Sequence, residues 1–262
     1  MPQVGCLNWL KNRILVICCL VLVLCVFHVD TAHADVSPTL CSIRPDYAVA
    51  GGWFYSQGGN GTGLGFSVVD NDLSDMWTGF NRRGGVPTLG YPITQPFHYK
   101  GFLTQAFQHA ILRWDPVKKD VSFVNTLDEL SGLGHDDYLL SHWQIPAHKI
   151  IDYGSELDPN NDLEFEKIKS IHLDIIKGDM RLASMFDESK SWLDLYGLPV
   201  AYSEMEGIKT LRTQRAVVRI REFGQRADGS VEVDVLLDIL ETGYLAKDAG
   251  MFPDYAIEPQ YP

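Results

Sequence analysis

The sequence predicts an α+β protein made of two related units, each a small antiparallel β meander with one or two packed helices. Three observations support this prediction. Short β-rich runs alternate with turn residues, segments with helical spacing lie beside them, and a pattern near residue 90 recurs near residue 197. Recurrence of one supersecondary pattern at a long period is typical of duplicated units.

The first 34 residues predict a cleavable secretory signal peptide. Lys11 and Arg13 precede the apolar run 14–27, and a small-x-small site ends at Ala34. This order is the secretory signature. An uncleaved anchor is the alternative, but a spanning helix needs about 20 apolar residues and His28 interrupts the run first. We therefore expect a secreted or cell-surface protein that is cleaved near Ala34.

Charge and cysteine content exclude several partners. The chain has 22 basic and 34 acidic residues and a net charge of −12. Nucleic acid and anionic membrane surfaces attract the opposite sign, so we expect neither as a partner after signal cleavage. Four of the five cysteines lie in the signal peptide, which leaves Cys41 without an internal disulfide partner. We expect Cys41 to be an idle thiol, with a link between two chains as the alternative.

The first unit is predicted at residues 49–134, after a polar tether at 35–48 that contains two prolines. It opens with the glycine-rich aromatic segment 51–65. A helix is expected over 72–83, because its composition is helical and Gly84-Gly85 supplies a C-terminal stop. Three strands of a meander then follow, at 102–107, 111–114 and 121–124.

The second unit is predicted at residues 163–262, after a linker at 135–162 rich in Asp, His, Asn and Pro. An amphipathic helix is expected over 163–177, because apolar residues recur there at helical spacing. Shorter helical segments are predicted at 181–186 and 192–196, and strands at 217–223 and 231–239.

The repeat is the strongest internal signal. Gly90-Tyr91-Pro92 matches Gly197-Leu198-Pro199, and the segments that begin at Gly101 and Gly207 align without gaps. Identical pairs, about 106 residues apart, include Gly90 with Gly197, Pro92 with Pro199, Gly101 with Gly207, Gln108 with Gln214, Ala110 with Ala216, and Arg113 with Arg219.

The stretch from Gly51 to Leu130, which contains Leu89-Gly90-Tyr91-Pro92, also carries a resemblance to known proteins. It is similar to the GYP-containing segments of exported bacterial proteins of unassigned activity. More distantly, it resembles the LGFP repeat of cell-wall-associated proteins, with Phe107, Ile111 and Trp114 at the later positions of that repeat. The departure is at residues 108–110, where the repeat has glycine. The resemblance implies association with cell-wall or surface glycan.

Aromatic residues cluster in the first unit and are candidates for stacking on sugar rings. The alternative is that the same rings form the core, because aromatic residues dominate core burial. We expect core positions for Trp77 and Phe107 and leave both interpretations open for Trp53, Tyr99 and Trp114. The predicted glycan-binding residues are Trp53, Tyr55, Tyr91, Tyr99, His109, Arg113 and Trp114.

Other motifs are weaker. The glycine run 59–65 lacks the Lys-Ser/Thr of a phosphate-binding loop, so we expect a turn. Asp158-x-Asn160-x-Asp162 resembles the start of a calcium loop but lacks its glycine and glutamate, so we expect a polar linker. His135, His142 and His148 lack zinc-ligand spacing, and we expect solvated loop histidines. We predict no catalytic residue, metal or cofactor.

The sequence therefore predicts a non-catalytic secreted or cell-envelope module that binds cell-wall or surface glycan. Two alternatives stay open. One is a cell-wall polymer hydrolase whose catalytic residues no motif reveals, and the other is a structural surface protein with protein partners. Clustering of Trp53, Tyr99 and Trp114 on one exposed face would favour glycan binding.

Overall fold

The computed structural model of the chain describes residues 46–57, 63–188, 192–223 and 234–261. The predicted signal peptide, Cys41 and most of the predicted tether lie outside these residues, as does the centre of the glycine run 59–65. Within the described residues, helices are mixed with three four-stranded antiparallel sheets. The predicted α+β class is confirmed.

The first sheet, which the sequence does not predict, contains short strands. It runs in the order β1-β2-β3-β4, and β1 includes the last two residues of the range predicted as tether. Gly51 takes a φ of +76°, and a Cβ there would lie 2.3 Å from the carbonyl oxygen of Asp70. Only glycine fits such a turn. The strands are Tyr47–Val49 (β1), Gly52–Tyr55 (β2), Phe66–Asn71 (β3) and Ser74–Asp75 (β4).

Two short helices cover this sheet, Met76–Arg82 (α1) and Gly85–Leu89 (α2). The helix predicted over 72–83 begins later than expected, because Asn71 holds a turn first. Its Oδ1 accepts hydrogen bonds from the backbone N–H groups two and three residues further on, at 2.9 and 3.1 Å. An asparagine side chain that competes for nearby backbone donors favours a turn over a helix.

The first meander follows in the order β5-β6-β7-β8. Its last three strands agree with the predicted strands to within one residue at each end, whereas β5 was not predicted. The strands are Phe97–Tyr99 (β5), Phe102–Ala106 (β6), Ile111–Asp115 (β7) and Asp120–Phe123 (β8).

Two helices come next, Thr126–Gly132 (α3) and Asp136–Trp143 (α4). The range 135–162, predicted to be a linker, therefore contains a helix. Residues 144–161 connect it to a helical group, which consists of Asp162–Leu173 (α5), Met180–Glu188 (α6) and Trp192–Tyr196 (α7).

The second meander has the same sequential order, β9-β10-β11-β12. Its strands are Pro199–Met205 (β9), Ile208–Thr213 (β10), Val217–Phe223 (β11) and Asp234–Ile239 (β12). The chain then forms two short helices, Thr242–Asp248 (α8) and Asp254–Ile257 (α9).

The residues that are identical between the meanders make the same backbone contacts. The N–H of Tyr91 donates to Gln108 Oε1 at 2.9 Å, and the N–H of Leu198 donates to Gln214 Oε1 at 3.0 Å. Gly90, which precedes the first pair, has a φ of +75°, and a Cβ on it would lie 2.6 Å from the side chain of Gln108. The repeated glycine is needed for close approach of the repeated glutamine. A common origin of the two units stays a prediction.

Each meander is covered by the helices that follow the other meander. The N–H of Leu127, in α3, donates to the carbonyl of Gln214 at 3.0 Å, and the N–H of Gly243, in α8, donates to the carbonyl of Gln108 at 3.0 Å. The cores repeat this exchange: Ile111 of β7 packs with residues of α8 and α9, and Val217 of β11 packs with residues of α3 and α4.

Candidate ligand-binding cleft

Two of the predicted glycan-binding rings lie in the core. Trp114 is 7% exposed and Tyr55 is 6% exposed, and both pack with Phe80 and Phe107. Burial raises the pKa of the Tyr55 hydroxyl to about 12. Neither ring is available to stack on a sugar, which corrects that expectation. The core position expected for Phe107 is confirmed.

The remaining predicted rings do not form one exposed face. Trp53 and Tyr91 are half-buried against the same core as Trp114, and Tyr91 makes an edge contact with Tyr55 at 5.8 Å. Tyr99 packs in a different core, where its hydroxyl donates to Glu129 Oε2 at 2.9 Å. The stacking platform considered in the sequence is therefore not assembled.

The two polar candidates, Arg113 and His109, have different surroundings. The guanidinium of Arg113 is on the exposed side of β7, over the ring of Phe102, and its Nε donates to Ser122. His109 is half-buried and lines a cavity with residues of β12 and α8. Of the two, His109 lines this cavity and Arg113 does not.

A cavity of about 540 Å³ lies beside Arg215 in the second unit. We call this cavity the cleft. Its volume falls within the range of small-molecule sites. One wall is apolar and aromatic and the other is polar. The lining residues are Asn125, Tyr153, Leu157, Pro159, Phe165, Ile168, His172, Leu193, Asp194, Leu198, Gln214 and Arg215.

Two cleft residues, the buried His172 and the half-buried Tyr153, form a hydrogen-bonded pair. Nδ1 of His172 lies 2.5 Å from the carbonyl oxygen of Pro199, which can only accept, so Nδ1 carries the hydrogen. Nε2 therefore accepts from the hydroxyl of Tyr153, at 2.8 Å. Burial lowers the pKa of His172 and raises the pKa of Tyr153. At neutral pH the pair is an uncharged imidazole and an uncharged phenol.

Arg215 forms the polar wall, and the protein holds its guanidinium in place. Its Nε donates to Asn125 Oδ1 at 2.7 Å, and one terminal nitrogen donates to the carbonyls of Leu193 (3.0 Å) and Asp194. Burial lowers the pKa of Arg215, with the nearby Asp194 carboxylate opposing the shift. A guanidinium stays charged in proteins, so this wall has a fixed positive charge.

Asp128 and His148 lie behind the polar wall. Burial raises the pKa of Asp128, and His148 Nε2 lies 3.5 Å from its carboxylate. The backbone N–H of His148 donates to Asp136 Oδ2 at 3.2 Å. His148 is therefore tied to α3 and α4, and it differs from the solvated loop histidine that we expected.

Arg212 binds α3, α4 and the segment that follows α4 through several hydrogen bonds. Its side chain is fully buried, and it donates to Asp136 Oδ1 at 2.8 Å, to the carbonyl of Leu127 at 2.7 Å and to the carbonyl of Pro146 at 3.0 Å. The Arg212 guanidinium and its hydrogen bonds hold the pKa of Asp136 below its usual value, although burial opposes them. This network fixes the start of the segment that leads to Tyr153.

The other predicted motifs have local roles. Asp158 Oδ1 accepts from the backbone N–H of Asn160 at 2.9 Å, which makes a turn, and Asn161 caps α5. His142 is exposed on α4, as expected, but in a helix. Among the residues that the structure describes, no three His, Cys, Asp or Glu side chains are placed to hold a metal ion.

The sequence does not single out the cleft residues. Asn125, Tyr153, His172 and Arg215 come from four separate parts of the chain, and none belongs to a catalytic motif. One signal was present: Gln214 and Arg215 directly follow a strand of the repeat, at the position where Gln108 and His109 occur in the first unit. The repeated glutamine binds the backbone in both units, whereas the residue after it differs and lines a cavity in each.

Comparison with known proteins adds no relative. No protein-family model matches the chain, and no curated protein matches it at a significant level. Within the described part of the chain, we find no helix with the length and apolar character needed to cross a membrane.

Proposed function

We propose that this protein is a secreted or cell-envelope module that binds cell-wall or surface glycan without modifying it, and that the cleft beside Arg215 is a glycan-binding site. The observation that carries the proposal is the composition of the cleft. The rings of Tyr153 and Phe165 offer apolar surface, while Asn125, Gln214 and Arg215 offer polar groups. Sugar rings have apolar faces and hydroxyl edges, which need this combination.

Binding is favoured over hydrolysis because His172, Tyr153 and Asp128 are not placed to transfer a proton to a bound sugar. Both ring nitrogens of His172 are engaged, so the imidazole has no free nitrogen to act as a general base. Burial raises the pKa of Tyr153, which disfavours a phenolate nucleophile. Asp128, the carboxyl group whose pKa is raised by burial, lies behind Gln214 and does not line the cavity.

Export supports the same proposal. The predicted signal peptide would deliver the chain to the surface or the medium, where polysaccharides are abundant. The acidic composition of the chain, with a net charge of −12, disfavours the polyanionic partners that a basic protein would attract. A glycan ligand needs no such attraction, because hydroxyl groups are recognised by hydrogen bonds and ring contacts.

The proposal is tested with the exported chain, purified glycans and two cleft variants. We expect sedimentation with peptidoglycan or a surface polysaccharide, and a loss of affinity of about tenfold in Phe165→Ala, because a half-buried ring of the cleft wall is removed. Tyr153→Phe should also weaken binding, because it removes the hydroxyl that donates to His172.

Tyr255→Ala is the matched control, since this ring is 57% exposed on α9 and does not line the cleft. Its binding should equal that of the unaltered protein. Absence of binding to every wall and surface polysaccharide would reject the proposal. Release of new reducing ends from the polymer would instead support the hydrolase alternative.

A further inference from the structure

A second cavity lies where α8 begins against the first meander. It corresponds to the cleft, which lies where α3 begins against the second meander. It has a volume of about 400 Å³ and is lined by His109 together with Trp143, Glu241 and Tyr244. We call it the junction pocket. His109 directly follows Gln108, as Arg215 directly follows Gln214, so the two cavities are built around equivalent positions of the repeat.

The backbone contacts at the two junctions are equivalent as well. At the cleft, α3 begins against Gln214, and Asn125 immediately precedes that helix and contacts Arg215. At the junction pocket, α8 begins against Gln108, and Glu241 immediately precedes that helix. The hydroxyl of Thr242 donates to the carbonyl of His109 at 2.8 Å, which holds the start of α8 beside the pocket.

The side chains of the junction pocket suit a sugar ring. Trp143 and Tyr244 are half-buried, so part of each ring faces the cavity. Glu241 is exposed at its edge, where its carboxylate oxygens can accept hydrogen bonds, and the ring nitrogens of His109 can also bond to a ligand. The two rings can stack on a neutral sugar, and the carboxylate and the imidazole can form hydrogen bonds with its hydroxyl groups.

The two junctions have diverged in charge. The cleft has an amide and a guanidinium at equivalent positions, Asn125 and Arg215, where the junction pocket has Glu241 and His109. The cleft has the guanidinium of Arg215 beside the carboxylate of Asp194, so it can both donate to and accept from an acyl-substituted sugar. The junction pocket suits a neutral sugar, because its lining contains the Glu241 carboxylate and no Arg or Lys.

We infer that the junction pocket is a second glycan-binding site, so that one chain engages a polymer at two places. This inference rests on the proposed function of the cleft. Two linked sites raise the apparent affinity for a repeating polymer well above the affinity for a short fragment, because the second contact becomes intramolecular.

The test measures stoichiometry and polymer affinity on the full exported chain. Calorimetry with short fragments of a glycan that the protein sediments with should give two sites per chain. Glu241→Gln and Trp143→Ala should each leave one site, and each should weaken retention on the polymer by about tenfold or more. Glu241→Gln is the conservative variant, because the Glu241 side chain is exposed and the helix start depends on its backbone carbonyl.

The outcomes separate this inference from the proposed function. One site that Phe165→Ala abolishes and Glu241→Gln leaves unchanged would overturn the second site while the cleft proposal stands. Absence of binding in the unaltered chain would reject both. Tyr255→Ala serves again as the control and should retain both sites. Thermal unfolding of Tyr255→Ala and of Trp143→Ala would show that these variants are folded.

Discussion

His172 holds one end of the cleft through both nitrogens of its ring. The imidazole is 3% exposed, contacts the carbonyl of Pro199 on β9 and accepts from Tyr153 in the connection before α5. The carbonyl oxygen of Pro199 can only accept, so the neutral imidazole carries its hydrogen on Nδ1 and accepts at Nε2. Protonation of Nε2 would reverse the contact with Tyr153, because the hydroxyl oxygen would then accept from Nε2–H, and it would place a positive charge in a buried site.

Stability should therefore fall as the pH is lowered from 7 to 5. Burial lowers the pKa of His172 below its ordinary value of 6.5, so the unfolded chain binds the proton more readily than the folded one in this range. The contribution is fully present above pH 6.5 and is lost as the pH falls towards the lowered pKa. Each pKa unit by which the folded and unfolded states differ at His172 corresponds to about 1.4 kcal/mol of unfolding free energy.

Urea unfolding at several pH values measures this dependence. His172→Asn keeps a donor near the position of Nδ1 and removes the titrating ring, so its stability should change less between pH 7 and 5. His142→Asn, at an exposed position of α4, should retain the slope of the unaltered protein. Equal slopes in all three proteins would contradict a role for His172.

Among the secondary-structure elements, the start of α8 is the most tightly constrained contact between the two units. A Cβ on Gly243 would lie 1.8 Å from the carbonyl oxygen of Phe107, which belongs to the backbone and cannot turn aside. The N–H of the same glycine donates to the carbonyl of Gln108. A side chain here would push α8 away from the first meander.

Gly243→Ala should consequently destabilise the protein by about 3 kcal/mol, at the upper end of the usual cost of overpacking. Gly132→Ala is the matched control, because no atom lies within 4 Å of a Cβ at that position in α3. It should leave stability unchanged or raise it slightly, since alanine favours a helix. A Gly243→Ala protein that unfolds at the same denaturant concentration as the Gly132→Ala protein would show that the junction tolerates a shift.

Elements with a clear local pattern could be predicted from the sequence. Strands β6, β7 and β8 were predicted because β-branched and aromatic residues lie between evident turns, and α7 was predicted over its observed range. The first sheet was missed because three of its four strands have only two to four residues and a glycine-rich segment separates β2 from β3. The sequence alone does not assign Trp114 to the core or to the surface, because it does not show which face of β7 is covered.

The cleft could not be predicted for a different reason. Asn125 and Arg215 are distant in sequence, and they meet because α3 packs on the second meander and not on its own. Hydrophobic periodicity defines which face of an element is buried but leaves open which partner covers it. The exchange of helices between the meanders decides which residues face each cavity.

At the scale of the whole molecule, the exchange makes each unit depend on the other. Ile111 and Val217 are 1% and 0% exposed, and each is covered by helices that belong, in sequence, to the other meander. Separating the units would expose both faces to water and leave the carbonyls of Gln108 and Gln214 without their helix donors. The units predicted from the sequence are therefore repeats that fold together.

Cutting the chain tests this dependence directly. Ser155 and Glu156 are exposed in the connection between α4 and α5, so a protease site inserted between them should be accessible. We expect the cleaved chain to stay folded as a complex, because the buried contacts of α3, α4, α8 and α9 are unbroken. The isolated fragments should lack a cooperative thermal transition, because each would expose a large apolar face.

Mixing the two fragments should restore the transition and the dispersed amide NMR spectrum of the cleaved complex. The midpoint of unfolding should then rise with fragment concentration, since folding has become an association. A fragment that unfolds cooperatively by itself, near the midpoint of the intact chain, would contradict the exchange as the basis of stability. Glycan binding would return only with reassembly, because the cleft and the junction pocket each combine residues from both fragments.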